Sequence, residues 1–323
     1  MSELVRVGAI DCGTNSIRLL VADIDRGTGV LTDVLRRMEI VRLGHGVDRT
    51  GVIAPEAMGR TLRVTREYAA QCSELGAVHV RFVATSASRD ARNADDFVEG
   101  VRAAFLEHYG QAVTPEVVSG HEEATLSFRG ATSGLASRGV RGPYLVVDLG
   151  GGSTEFVRGT DEVDAARSVD IGCVRMTERH LRSDPPTAQE VAAATADIDA
   201  AIDLAVGEVS LDGIRALVGL AGSVTTITAH ALRLSAYDPQ AIHLSRLPVA
   251  DVLSAAHELV GMSHAERAKL PFMHPGRVDV IGAGALVWGR IVQRVAREAG
   301  ITEVVTSEHD ILDGIALSQV AMA

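Results

Sequence analysis

One short pattern occurs twice in this chain. "IDCGTNSIRLL" at 10–20 and "VDLGGGSTEFV" at 147–157 align without a gap, so that Asp11 falls on Asp148, Gly13 on Gly150 and Ser16 on Ser153. Each copy is an apolar strand ending in Asp-x-Gly, a turn of small residues, a serine and an apolar return strand. A hairpin of this kind cannot bury its own faces and needs a domain around it. Two copies in 323 residues predict two related domains.

The remaining pattern fits that frame. Apolar, β-branched runs predict strands at 5–12, 16–25, 78–85, 114–120, 145–157, 214–223 and 302–307. Helical spacing predicts helices at 55–76, 95–110, 121–132, 172–181, 187–209, 248–262, 278–300 and 310–323. Strands alternate with helices, so the fold class is α/β.

Composition narrows the functions open to such a chain. It is 46% hydrophobic and 23% charged, the balance of a globular protein. No apolar run approaches the ~18 residues of a membrane span. The start, "MSELVRVGAIDCG", lacks a basic segment followed by an apolar stretch and a cleavage site, and reads as cytoplasmic. Cys12, Cys72 and Cys173 are far apart, which suggests a reducing compartment and no thiolate-held zinc. A net charge of −11 argues against a nucleic-acid partner. Lys269 is the single lysine; all other Lys/Arg positions are arginine. An isolated arginine is therefore a weak sign of phosphate binding here.

The glycine turns carry the chemistry. Without a Cβ, glycine lets backbone N–H groups approach an anion closely, and serine and threonine add hydroxyl donors. In the second copy Gly150, Gly151, Gly152, Ser153 and Thr154 form such a phosphate cradle. Asp148 and Glu155 on either side would repel phosphate unless a divalent cation stood between them. Mg²⁺ commonly binds through one or two carboxylates plus phosphate oxygens, so these two acids read as its ligands. The same argument extends to Asp11 with Thr14, Asn15 and Ser16. Either turn alone is equally well a plain glycine hairpin; the shared aspartate offset favours the anion site. A third corner, "LAGSVTTITA" at 220–229, places Gly222 and Ser223 where a helix N-terminus offers free donors.

Taken in order, "GAIDCGTNSIRLLV", "VATSASRDARNADDF", "VVSGHEEATLSF", "VVDLGGGSTEF" and "LAGSVTTITA" resemble the exopolyphosphatase / guanosine pentaphosphate phosphohydrolase (Ppx/GppA) family. "RVDVIGAGA" and "SEHDILDGI" extend the likeness to the C-terminus. The resemblance implies two ribonuclease-H-like domains of the actin-like, sugar-kinase and Hsp70-type ATPase superfamily, with an interdomain cleft. On this reading residues 1–121 and about 307–323 form one domain, with a returning C-terminal helix, and 122–306 the other.

The resemblance also implies roles. Glu123 in "HEEA" matches the family's catalytic base; on sequence alone, Glu122 and Glu123 are acids suited to a helix start. Asp148 and Glu155 match metal-associated carboxylates with Mg²⁺, or Mn²⁺ in its place. Arg89 matches an arginine beside the phosphate chain, with Arg92 close by, and Arg277 a second one. The implied activity is hydrolysis of terminal phosphate from inorganic polyphosphate, with guanosine pentaphosphate as the rival substrate. A superfamily kinase or ATPase and a (p)ppGpp-binding regulator are alternatives of other classes. A homodimer is common in such a family. Longer members carry a further C-terminal region associated with gripping polymer. Its absence, with the net charge of −11, leads to the expectation of a preference for short chains.

Overall fold

A computed structural model describes residues 4–320. The chain divides into two compact units: residues up to Gly130 together with those from Ile311 onward, and Ala131–Asp310.

The first unit is built on a five-stranded sheet. Its strands are β1 (Leu4–Cys12), β2 (Ser16–Asp25), β3 (Leu31–Ile40), β4 (His79–Ala84) and β5 (Glu116–Val117), in the order β3-β2-β1-β4-β5. β1, β2 and β3 run antiparallel, whereas β4 and β5 join parallel to β1. Successive side chains of a strand point to opposite faces, and both faces here are covered. Ile10, Cys12, Ile17, Leu19 and Val21 pack with Tyr68, Phe97 and Phe105 from helices Pro55–Glu74 and Ala94–His108. Val7, Ala9, Leu20, Ala22 and Ile24 pack instead with Leu126 and with Ile311, Leu312 and Ile315 of the closing helix. Fully burying one such aliphatic or aromatic side chain stabilises by about 1.5–3 kcal/mol. The same packing explains the unit boundary. Leu126 belongs to the core of the first unit, so helix Gly120–Thr132 stays with it as far as Gly130, later than the sequence boundary at 121.

In the second unit the strands are β6 (Tyr144–Leu149), β7 (Thr154–Gly159), β8 (Val163–Val169), β9 (Ala216–Leu220), β10 (Ser245–Pro248) and β11 (Glu303–Thr306). Their order is β10-β11-β9-β6-β7-β8. Leaving out the edge strand β10, the run β8-β7-β6-β9-β11 repeats the first sheet strand for strand and direction for direction. The duplicated hairpin is thus the visible part of a duplicated α/β domain. Helix Ala188–Glu208 opens with a capping box in which Thr187 and Glu190 satisfy each other's backbone N–H groups. Helix Ile281–Ala299 contributes the fully buried Trp288 to the core.

Several local expectations shift. Strands β3, β8 and β10 had no counterpart in the sequence pattern. The strand expected at 114–120 shrinks to the two residues of β5. The helix expected from 278 starts at Ile281, after a 3₁₀ turn at Pro275–Arg277.

Candidate functional site

In the first unit, the β1–β2 turn closes through Gly13 N–H donating to Ser16 O at 2.9 Å. The segment after β3 holds this turn from outside: Val41 and Arg42 N–H both donate to Asn15 O, at 3.1 and 2.8 Å, and Gly44 N–H donates to Thr14 O at 2.9 Å. Thr14 Oγ1 shares a 3.0 Å hydrogen bond with Ser86 Oγ, at the start of the short helix Ser86–Asp90. The Asn15 side-chain Oδ1 is buried with no hydrogen-bond partner among the described residues. An orphaned buried polar atom costs about 1–3 kcal/mol. Asp11 is 4% exposed and lies opposite Arg18 in the ladder, accepting from its Nε at 2.9 Å and Nη2 at 2.6 Å. The metal-ligand argument therefore does not carry over to Asp11, whose charge already has an internal counter-ion.

Helix Gly120–Thr132 separates the two adjacent glutamates. Glu122 turns to Arg81 at 2.6 Å. Glu123 is 8% exposed and accepts from Arg89 Nη1 at 3.1 Å, while the same nitrogen donates to Val118 O at 2.9 Å. The two neighbouring arginines take different partners. Arg89 touches Glu123, whereas Arg92 is exposed and donates to Thr50 O.

In the second unit the β6–β7 turn repeats the closure of the first, with Gly150 N–H donating to Ser153 O at 3.0 Å. Its carbonyls are tied to the start of helix Cys173–His180. Cys173 N–H donates to Gly150 O, Val174 and Arg175 N–H to Gly151 O, and Arg175 Nε to Gly152 O at 2.6 Å. With the carbonyls held on one side, the N–H groups of Gly151 and Gly152 donate to no acceptor among the described residues. That is the arrangement of an anion nest. Ser153 and Thr154 are both buried, and Thr154 Oγ1 donates to Ile171 O.

Asp148 and Glu155 face each other directly across the β6–β7 ladder, 6% and 1% exposed. Side chains paired in this way share one face of the sheet, and like charges there are destabilising. Ser168 Oγ donates to Glu155 Oε1 at 2.8 Å. Among the described residues there is no group of three or more His, Cys, Asp or Glu placed to hold a metal. Two hard oxygen donors nevertheless fit Mg²⁺, which takes few protein ligands and fills its shell with water and phosphate oxygens.

The strand-to-helix corner at β9 holds the remaining residues. Ala221 adopts a left-handed φ of 69°, uncommon outside glycine, and starts helix Ala221–Ala231. The Arg277 guanidinium lies against Gly222, where an added Cβ would sit 2.5–2.7 Å from its Nη2, Cζ and Nε. Arg277 Nη1 donates to Thr226 Oγ1 at 3.2 Å, and its Cζ stands 5.9 Å from the centre of the Tyr237 ring. Among the described residues no carboxylate pairs with Arg277. Ser223 is buried beside Gly284.

Two thiols near these turns are inert. Burial, reinforced by the charge of Asp11, pushes the Cys12 thiol well up, and burial likewise raises Cys173. Both stay protonated near neutral pH, so neither serves as a nucleophile. Sequence reasoning missed Arg18, Ser168, Arg175 and Tyr237. Only Arg18 had a signal: the repeat alignment sets it against Glu155.

A model of the Ppx/GppA phosphatase family matches residues 20–319. The chain belongs to this family. It is 52% identical over 317 residues, 98% of each chain, to a protein named Exopolyphosphatase 2 from Mycobacterium tuberculosis strain H37Rv. Among solved structures, an exopolyphosphatase-like protein superposes with a TM-score of 0.92 at 44% identity, covering 98% of both chains. The Aquifex aeolicus Ppx/GppA enzyme follows at 0.78 and 29% identity, covering 98% of this chain and all of its own. Both sheets and the family thus agree with the two-domain α/β fold expected from the motifs. No helix among the described residues is long and apolar enough to cross a membrane.

Proposed function

We propose that this protein is a metal-dependent exopolyphosphatase, removing terminal phosphate from inorganic polyphosphate. The observation that carries the reading is the 52% identity to Exopolyphosphatase 2 across 98% of both chains. The chemistry of the two units supports it. Gly151 and Gly152 offer N–H donors to phosphate oxygens, and the unpaired Arg277 offers a cation. Glu123, positioned by Arg89, takes the proton of the attacking water, the role of a base in in-line phosphoryl transfer. Asp148 and Glu155 would hold Mg²⁺, or Mn²⁺ in its place. Such an ion would supply positive charge that stabilises the charge developing on a transferred phosphate.

A preference for short chains belongs to the same reading. The net charge is −11, and many arginines are already paired with acids, as at Arg6, Arg18, Arg36, Arg81 and Arg290. Each added phosphate must then sit in an unfavourable field over roughly a Debye length of ~8 Å. A cytoplasmic homodimer completes the proposal, checked by fractionation and light scattering.

Phosphate release from tripolyphosphate, long polyphosphate, guanosine pentaphosphate and ATP, with and without Mg²⁺, tests it. The expected result is Mg²⁺-dependent release from polyphosphate, with higher kcat/KM per chain end on the short substrate. Release from guanosine pentaphosphate or ATP alone would replace polyphosphate as the substrate. Binding of (p)ppGpp without any turnover would make the protein a regulator.

A further inference from the structure

We propose that the open edge of β3 is the surface on which two copies of this chain pair. This deepens the homodimer reading above and rests on it. β3 ends its sheet, with β2 on one side and no strand on the other. The register shows which of its backbone groups point outward. Asp25 N–H donates to Val30 O and Val41 N–H to Asn15 O, which fixes the hydrogen-bonded pairs at the two ends of the β2–β3 ladder. Antiparallel pairs alternate between bonded and unbonded. Counting inward from both ends, Thr32, Leu35, Arg37 and Glu39 bond to β2, while Leu31, Asp33, Arg36, Met38 and Ile40 turn N–H and C=O outward. The β1–β2 turn agrees: Gly13 N–H donates to Ser16 O, so Ser16 faces β1 and leaves Ile40 unbonded. Among the described residues these outward N–H groups have no acceptor.

A bulge at Val34 sets this pattern. Leu35 lies opposite Val21 and Asp33 opposite Ala22, with Val34 as the extra residue between them. In a regular strand Asp33 and Arg36, three apart, would point to opposite faces. Here both stand on the face of Leu20 and Ala22, where they form a 2.7 Å ion pair, and both turn their backbone outward. Such an edge is complementary to itself. Laid antiparallel on a second copy, with the two bulges meeting at the two-fold axis, it sets Leu31 opposite Met38 and Asp33 opposite Arg36 of the second copy, and the reverse. Each of these pairs joins outward backbone groups, and each acid meets a base. Val34, 38% exposed, comes beside Leu35 of the second copy at the axis. Sliding the register by one bonded pair in either direction sets Asp33 against Asp33 or Arg36 against Arg36, and like charges directly opposite are destabilising. Charges on an edge strand ordinarily keep other chains away. On β3 their order matches a second copy of the same strand and selects one register.

Light scattering of the wild-type chain should give a dimer. Asp33→Lys puts like charges opposite one another at two symmetric positions and should weaken dimerisation at least about tenfold; circular dichroism confirms that the variant is folded. Cross-linking reads the register. Thr32 and Arg37 of the second copy form an unbonded pair, with Cα atoms about 4.5 Å apart and within reach of a disulfide. Thr32→Cys with Arg37→Cys should therefore give a covalent dimer on mild oxidation. Thr32→Cys with Glu39→Cys, which marks the register set one bonded pair away, should not. The native Cys12, Cys72 and Cys173 are buried and do not interfere. A monomeric wild type removes the homodimer reading, and this edge with it. A dimer that Asp33→Lys leaves equally tight, or that the cysteines at 32 and 37 fail to trap, overturns the β3 interface and leaves the homodimer standing.

Discussion

Replacing Gly172 by alanine probes the β6–β7 glycine turn, the proposed phosphate cradle, through its support. Gly172 precedes helix Cys173–His180 with φ −149° and ψ 165°, an extended backbone open to any residue, so the constraint is space alone. A Cβ there would lie 2.5 Å from the Gly151 carbonyl carbon and 2.6 Å from Gly152 N, with Gly151 O closer still. Non-bonded carbon atoms settle near 3.5–4.0 Å apart, so something must yield by about 1 Å. No flexible side chain is available to do so, because the obstructing atoms are cradle backbone. That backbone is held by the hydrogen bonds from Cys173, Val174 and Arg175. Breaking two to four of them at a net ~1 kcal/mol each gives a destabilisation of about 2–4 kcal/mol. A displacement of this size at a positioning element costs about 10²-fold in rate. Urea unfolding and polyphosphate hydrolysis read the two effects separately. Gly207→Ala is the control, since nothing lies within 4 Å of its added Cβ. Unchanged stability in Gly172→Ala would refute the close approach. Lowered stability with full activity in the folded fraction would remove the cradle from the site.

Three further outcomes follow from the same geometry. Glu123→Gln should preserve the melting temperature and lower kcat by about 10²–10⁴; a near-wild-type rate in a folded variant excludes it as the base. Asp148→Asn and Glu155→Gln should each shift Mg²⁺ activation to higher concentration, because an amide is a poorer ligand for a hard cation; full wild-type activity in excess chelator would sink the metal. Glu190 is held at about 2 by the Thr187 backbone N–H and further donors around it, below the ordinary glutamate value of about 4.3. A depressed carboxylate stabilises above its unfolded value, and the contribution is lost as pH falls from about 4.3 toward 2. Glu190→Gln should flatten that part of the stability profile, and an unchanged acid limb would show that the capping box contributes nothing.

Much of the fold was legible because it depends on local pattern. The two hairpins announce themselves through Asp-x-Gly and a serine at one offset, and the long helices through apolar spacing and caps such as Pro55. What escaped lies mainly at the sheet edges. β3 reads "LTDVLRRMEI", with charges on both faces, because an edge strand half open to water needs no apolar run. β8, also at an edge, is mostly half-buried and carries Asp164 and Arg167. The β10 segment is four residues long. The site divided in the same manner. Glycines and acids near the turns could be found from sequence. Tyr237 with Glu308, or Ser168 with Glu155, could not, because pairing across 71 positions or across a ladder is fixed only by tertiary register.

The two hairpins show how a duplicated frame acquires different tasks. Both turns close with the same Gly N–H to Ser O bond, and both carry an aspartate at the same strand end. Directly across the ladder from that aspartate stands Arg18 in one copy and Glu155 in the other. The first pair cancels its charge at 2.6 Å and leaves little for a cation to do. The second sets two buried carboxylates face to face, a like-charge pairing that costs stability wherever both are ionised. Backbone commitments diverge in parallel. The first turn has its Thr14 and Asn15 carbonyls occupied by the segment after β3, while the second has its glycine carbonyls gathered by a helix start. A single cross-strand difference thus separates an ion-paired hairpin from one that sets two carboxylates face to face on the same backbone.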